Sequence, residues 1–267
     1  MTEQLSCLSD GLIFRTASVD ELLGKQSGFL QGSTAATNQD QPIKSVVNFP
    51  IYKVAVLLFE NYQSKVDHMC GILHIPTIRY LIKAVYLRIT QSEYVCTGQA
   101  ALLLSIFALS AYFYQPAENS EVAQSTRDAV DLAKILSKGA LNILDYSRRS
   151  TSGSLEDVQA YIIMSFVIFH LDGFSTRGRV LANTAASIAR DLRLHQLDAD
   201  EYSTAEKEFD LRALVAREVK RRVFWHIAAT DWYSFPIINE ILLLTCVGCS
   251  QPYLVHRRAC ISFIRIM

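Results

Sequence analysis

Residues 132–144 read LAKILSKGALNIL. In them Leu132, Ile135, Leu136, Gly139, Ala140, Ile143 and Leu144 fall at i, i+3, i+4, i+7, i+8, i+11 and i+12. A period of 3.6 residues puts those positions on one side of a helix, so the stretch predicts an apolar stripe turned toward a core. The break that follows, Ser150–Ser154, ends it. Ser154-Leu-Glu-Asp157 then has the form of a capping box, with Asp in place of the usual Glu or Gln, and predicts a mostly apolar helix running to Leu171. Asp172-Gly173 stops that helix. Leu181, Thr184, Ala185, Ile188 and Leu192 mark the next, with Arg177, Arg179, Arg190 and Arg193 facing water and Ala182, Ala185 and Ala189 allowing a neighbour to approach closely.

Toward the N-terminus, Tyr52–Tyr62 predicts a helix, and Pro76-Thr77 opens another through Leu81, Val85 and Ile89. Between Glu93 and Glu118 there is no charge. Within it Gly98–Tyr114 (GQAALLLSIFALSAYFY) is 17 residues long, at the low edge of what crosses a bilayer. Its Gln99, Ser105, Ser110 and many alanines, beside amphipathic neighbours, predict instead a central helix packed by protein. Toward the C-terminus, Asp198–Asp210 holds six carboxylates and one lysine. It reads as a solvated loop with a second capping box, Ser203-Thr-Ala-Glu206; Tyr202 and Phe209 among the acids also fit an acidic-aromatic activation segment, the weaker reading. A last helix is expected from Leu211 to Tyr233. No run alternates strictly and no repeat of fixed period occurs. The expected fold is all-α, an array of antiparallel helices packed as one helical domain.

The whole chain has 267 residues, 26 basic and 26 acidic, and a formal net charge of zero. A neutral chain does not coat nucleic acid by bulk attraction. Half of its residues are hydrophobic, which excludes disorder along most of its length. Met1–Leu8 has Glu3 and no basic n-region, against a secretory leader. The six cysteines, Cys7, Cys70, Cys96, Cys246, Cys249 and Cys260, form no compact framework and read as reduced thiols.

Few residues suggest chemistry. Cys246, Cys249, His256 and Cys260 have zinc-ligand types, but their flanks lack the turns of a knuckle. His68, Cys70 and His74 form a weaker set. Gly173-Phe-Ser-Thr-Arg-Gly178 is one residue too long for a nucleophile elbow, and no phosphate-binding glycine loop occurs. No enzyme is expected.

Two regions carry a resemblance. One is VDHMCGILHIPT at Val66–Thr77, in which an Ile-Leu-His-x-Pro-Thr turn precedes a helix. The other spans Ser154–Tyr233, with SLEDVQAYIIMSFV, ARDLRLHQLD and REVKRRVFWHIAATDWY. Together they resemble the fungal-specific transcription factor domain, or middle homology region, of binuclear zinc-cluster regulators. The matching positions are His74 and Pro76 in the turn, and Glu218, Arg221, Arg222, Phe224, Trp225 and Asp231 in the last helix, all with an expected structural role. Read as residues, Glu218 and Arg222 form an i, i+4 pair, Phe224, Ile227 and Ala228 supply packing, and Trp225 adds a large apolar body with one N–H to satisfy. Arg217, Lys220, Arg221 and Arg222 are expected to face the acidic loop rather than phosphates.

The resemblance implies a nuclear transcription regulator, often serving a biosynthetic gene cluster, in which a helical domain modulates activation, responds to a small molecule and assists dimerisation. The zinc-cluster module of that family needs six closely spaced cysteines. Here 62 residues separate Cys7 from Cys70, so that module is expected to be missing, with no cofactor in this chain and zinc belonging to the missing part. DNA would then be reached only indirectly, through a dimer partner or a full-length zinc-cluster regulator. Residues 1–48 read as a flexible lead-in, 49–233 as a partial regulatory domain, and 234–267 as an atypical tail, an aberrant end with a greasy stretch at Phe235–Val247. Two other readings are a helical adaptor without a transcriptional role and a membrane-associated helical protein resting on Gly98–Tyr114 and Phe235–Val247.

Overall fold

The computed structural model describes residues 7–9, 11–24, 45–117, 120–197 and 211–234. In chain order these form strands β1 (Cys7–Ser9) and β2 (Leu12–Ala17), helix α1 (Val19–Leu22), strand β3 (Ser45–Pro50), and helices α2 (Tyr52–Lys65), α3 (Asp67–Cys70), α4 (Ile75–Gln91) and α5 (Thr97–Tyr112). Then follow α6 (Thr126–Ser150), α7 (Leu155–Asp172), α8 (Thr176–Asp191), a 3₁₀ turn at Leu194–Gln196, and α9 (Leu211–Ser234). The domain is predominantly helical, as the periodicity predicts.

α5 is the axis of the packing. Every residue from Ala100 to Ala111 is buried, and α2, α4, α6 and α7 surround it. A helix enclosed on all sides has no reason to be amphipathic, which is why its sequence resembles a membrane span. Its polar side chains are satisfied inside the fold. The Ser105 hydroxyl donates to the Ala101 carbonyl at 2.7 Å, the Ser110 hydroxyl donates to the Leu58 carbonyl, and the Asn61 amide donates to the Ser110 carbonyl at 2.9 Å. Among the described residues no helix is long and apolar enough to cross a membrane, so the membrane-associated reading loses Gly98–Tyr114 as support. Phe235–Val247 lies outside the described residues.

The stripe on α6 faces this axis. Leu132, Leu136, Ala140, Ile143 and Leu144 are buried, while Ile135 and Gly139 are partly covered. A Cβ at Gly139 would stand 3.3 Å from Leu104 of α5 and 3.5 Å from Val47 of β3, so this glycine lets two elements approach the helix at one point. The Ser154–Asp157 capping box is present, and Gly173 closes α7 with φ +69°. On α8, Leu181, Ala185 and Ala189 are buried, and the four arginines expected in water, three on α8 and Arg193 just beyond it, are exposed.

The N-terminal segment departs from the expected lead-in. β1 pairs antiparallel with β2, and β2 pairs parallel with β3, from Leu12 opposite Ser45 to Ala17 opposite Pro50. Leu12, Phe14, Val47 and Phe49 are all buried at 2% exposure or less. Phe14 and Phe49 meet edge-to-face at 5.9 Å, and Phe49 meets Tyr86 of α4 at 6.0 Å. Part of the segment expected to be flexible is thus sheet, with one face in the helical core. The polar run Gln31–Gln41 lies outside the described residues, as do the acidic stretch Asp198–Asp210, its Ser203–Glu206 box, and residues 235–267.

Candidate functional site

The residues that carry the family resemblance converge on α9 and on the turn before α4. At that turn His74 occupies the position before the first helical residue, and its Nδ1 lies 2.7 Å from the Thr77 hydroxyl. Pro76 sits in the first turn, where its missing N–H costs no helical hydrogen bond, and is exposed. The two residues set where α4 begins.

α9 buries one face. Val223 is fully buried, Ile227 and His226 nearly so, and Val219 and Phe224 pack partly against the core. The helix rests on α7, α8 and the 3₁₀ turn, and the Arg217 guanidinium donates to the Leu197 carbonyl at 3.0 Å, tying the start of α9 to that turn. Trp225 points away from the most buried line, 39% exposed, its ring edge-on to Phe224 at 5.6 Å. Ala228 is partly covered. One side of α9 is thus held by the fold's own core.

Glu218 is the hub of the charged face. Its carboxylate accepts from Arg221 Nη1 and from Arg222 Nε, both at 2.9 Å. The Arg222 hydrogen bond, then that of Arg221, holds the Glu218 carboxyl below its usual range against an opposing effect of desolvation. The i, i+4 pair expected from the sequence is therefore one half of a fork whose other half is i, i+3. Asp231 lies on α9, but its side chain is outside the described residues.

The sequence reading missed the junction between α9 and α3. His226 lies against the Phe166 ring at 5.5 Å and is hydrogen-bonded to the Cys70 backbone. Burial pushes its pKa down to about 4, so it is neutral at physiological pH. On α3, burial raises the Asp67 carboxyl, with the charge of Arg222 on α9 acting in the opposite direction. Burial also pushes the Cys70 thiol up to about 12, with Asp67 adding to the effect. A thiol held protonated in this way is neither a nucleophile nor a ready metal ligand. His68, Cys70 and His74, read together as a weak ligand set, do not converge: among the described residues no three His, Cys, Asp or Glu side chains are placed to hold one metal ion. Cys246, Cys249, His256 and Cys260 lie outside the described residues. The available signal for the junction is spacing alone, since His226 stands at i+3 from Val223 and at i+7 from Val219, on the buried line.

Comparison with known proteins matches residues 58–234 to the model of the family described as fungal specific transcription factor domain. The chain is 36% identical over 226 residues to the probable transcription factor lepB of Aspergillus flavus, covering 84% of this chain and 40% of that protein. It is 30% identical to transcription factor TAS2 of Pyricularia oryzae, over 67% of this chain and 23% of that protein. It is also 30% identical to the agnestins biosynthesis cluster transcription factor AgnL11 of Paecilomyces divaricatus, over 72% of this chain and 28% of that protein. The chain thus spans less than half the length of each of these relatives. No solved structure matches it.

Proposed function

The chain belongs to the fungal-specific transcription factor domain family, and on that premise we propose that it acts in the nucleus as the helical regulatory region of a fungal transcription regulator. The observation that carries this reading is the family match over 58–234, a span that runs from α2 through α9 and takes in both resembling motifs. All three relatives bear the name of a transcription factor, and one is named for a biosynthesis cluster, which supports control of a biosynthetic gene cluster here. The role is non-enzymatic. In this reading the helical domain uses no cofactor of its own, and zinc belongs to the DNA-binding module of the regulator with which it works.

DNA is then reached indirectly, through a dimer partner or a full-length zinc-cluster regulator, and a small-molecule effector acts by shifting how the helices pack. α9 suits such a scaffold role, because its inner line is fixed by Val223, His226 and Ile227 while Trp225 and Arg222 are exposed. The test is to fuse the chain to a heterologous DNA-binding domain in a filamentous fungus and read a reporter, alongside affinity capture from nuclei. A reporter response together with recovery of a zinc-cluster regulator is the expected result. An inert fusion, excluded from nuclei and recovering no such regulator, overturns the reading in favour of a helical adaptor.

A further inference from the structure

α4 carries large apolar side chains on its outer side as well as its inner one. Its inner line is Ile78, Ile82, Val85, Tyr86 and Ile89, all buried. Its outer line is Pro76, Tyr80, Lys83, Leu87 and Thr90, spaced alternately by four and three residues and all exposed. Steps of four and three keep side chains on one stripe, the spacing with which a helix receives another helix. Tyr80 is 74% exposed and Leu87 57%, where a solvated helix ordinarily carries charge.

The stripe borders two shallow concavities. One, of about 480 Å³, is edged by Ile51, Tyr52 and Leu87; the other, of about 450 Å³, by Pro76 and Tyr80. Gln63 and Arg79 also line the second, and Lys83 borders both, so a cation stands between the two recesses. The floor of the first is fixed: the Tyr86 hydroxyl donates to the Pro50 carbonyl at 2.6 Å, and its ring meets Tyr52 edge-on at 5.4 Å.

Charge selects the occupant. α4 contains Arg79, Lys83 and Arg88 and no carboxylate. Arg79 is engaged, donating to Gln63 at 2.9 Å and standing over the Phe59 ring, and Arg88 donates to Gln99 at 3.3 Å. Lys83 is exposed and pairs with no carboxylate among the described residues. A second copy of the same face would bring cation against cation. We propose that the outer stripe of α4 docks an acidic peptide segment of a partner protein, which lays aromatic or leucine side chains on Tyr80 and Leu87 and places a carboxylate on Lys83. The inference rests on α4 and its surroundings and is independent of the transcriptional reading.

A fluorescein-labelled peptide with the sequence of residues 198–210, DADEYSTAEKEFD, is a suitable probe, with a control in which its six carboxylates are replaced by amides. Anisotropy titrations use the whole chain, and also a chain whose own six carboxylates in 198–210 are amides. Saturable binding is expected, weakened about tenfold or more by Lys83→Glu, by Leu87→Asp and by the amide control, as for loss of one charge pair or one apolar anchor. Because both positions are exposed, the variants should keep the thermal midpoint of the parent. Binding that appears only when the chain's own acidic run is neutralised assigns the stripe to that run and overturns docking of a partner. Absence of binding to both chains, equal binding of the amide control, or indifference to both substitutions overturns the proposal. So does self-association of the chain that Leu87→Asp abolishes, which would assign the stripe to a second copy.

Discussion

Gly98 lies directly against Ser154: a Cβ at Gly98 would stand 2.5 Å from the Ser154 hydroxyl oxygen and 3.3 Å from the Asp157 carboxyl carbon. The start of α5 is thereby pressed onto the capping box of α7. Gly98→Ala should destabilise the domain by about 1–3 kcal/mol, because the crowded atoms belong to a hydrogen-bonded cap and not to a free side-chain end. Urea unfolding followed by helical circular dichroism measures it. A neutral or stabilising effect, as helix propensity alone would give, counts against the contact.

Asp157 stands where a capping box usually has Glu or Gln, and the structure shows what the shorter acid does. One oxygen accepts from the Ser154 backbone N–H and hydroxyl, each at 2.9 Å, and the other accepts from the Ser147 hydroxyl of α6 at 3.1 Å. The side chain is buried, so its removal strands three donors. Asp157→Ala should cost about 2–4 kcal/mol. Asp157→Glu, which restores the usual capping residue, should still cost about 1–2 kcal/mol, because the longer chain has Gly98 and Ser147 in its way. Equal stability of the Glu variant and the parent would show that the cap alone matters.

Phe14 tests whether the small sheet belongs to the core. It is fully buried and edge-on to Phe49, which in turn meets Tyr86 of α4. Phe14→Ala should lower stability by about 3–5 kcal/mol, seen as one shifted transition of the helical signal. An unchanged midpoint would return the segment to the status of a lead-in.

The elements that the sequence makes legible are those whose determinants are local. The stripe Leu132–Leu144 and the box Ser154–Asp157 each lie within one helix, so spacing alone identifies them. β1 and β2 have three and six residues, and the alternation of Leu12 with Phe14 is too short to stand out; their partner β3 begins at Ser45, so no local signal announces the pairing. The same holds at α9. The Glu218–Arg222 pair is visible from its i, i+4 spacing, whereas the Cys70 backbone meets His226, and Asp67 feels the Arg222 charge, across more than 150 residues of chain. Asp157 is legible as a cap but not as the acceptor of Ser147, because that contact depends on how α6 turns into α7.

His226 gives the junction of α9 with α3 a pH dependence whose sign can be worked out. In the unfolded chain its imidazole titrates near 6.5, while in the fold burial lowers it to about 4. Between those values the unfolded chain binds the proton and the folded one does not, so acid favours unfolding. The contribution is fully present above about pH 6.5 and is lost as the pH falls toward 4, by about 3 kcal/mol at its limit. Asp67 acts with the opposite sign, because burial raises its carboxyl and the folded state then takes up its proton first. Comparing the parent with His226→Gln isolates the histidine. Urea midpoints measured from pH 7.5 to 4.5 should fall more steeply in the parent, and the two curves should converge at the acid end. Parallel curves would mean that His226 is not held neutral against Phe166 and the Cys70 backbone.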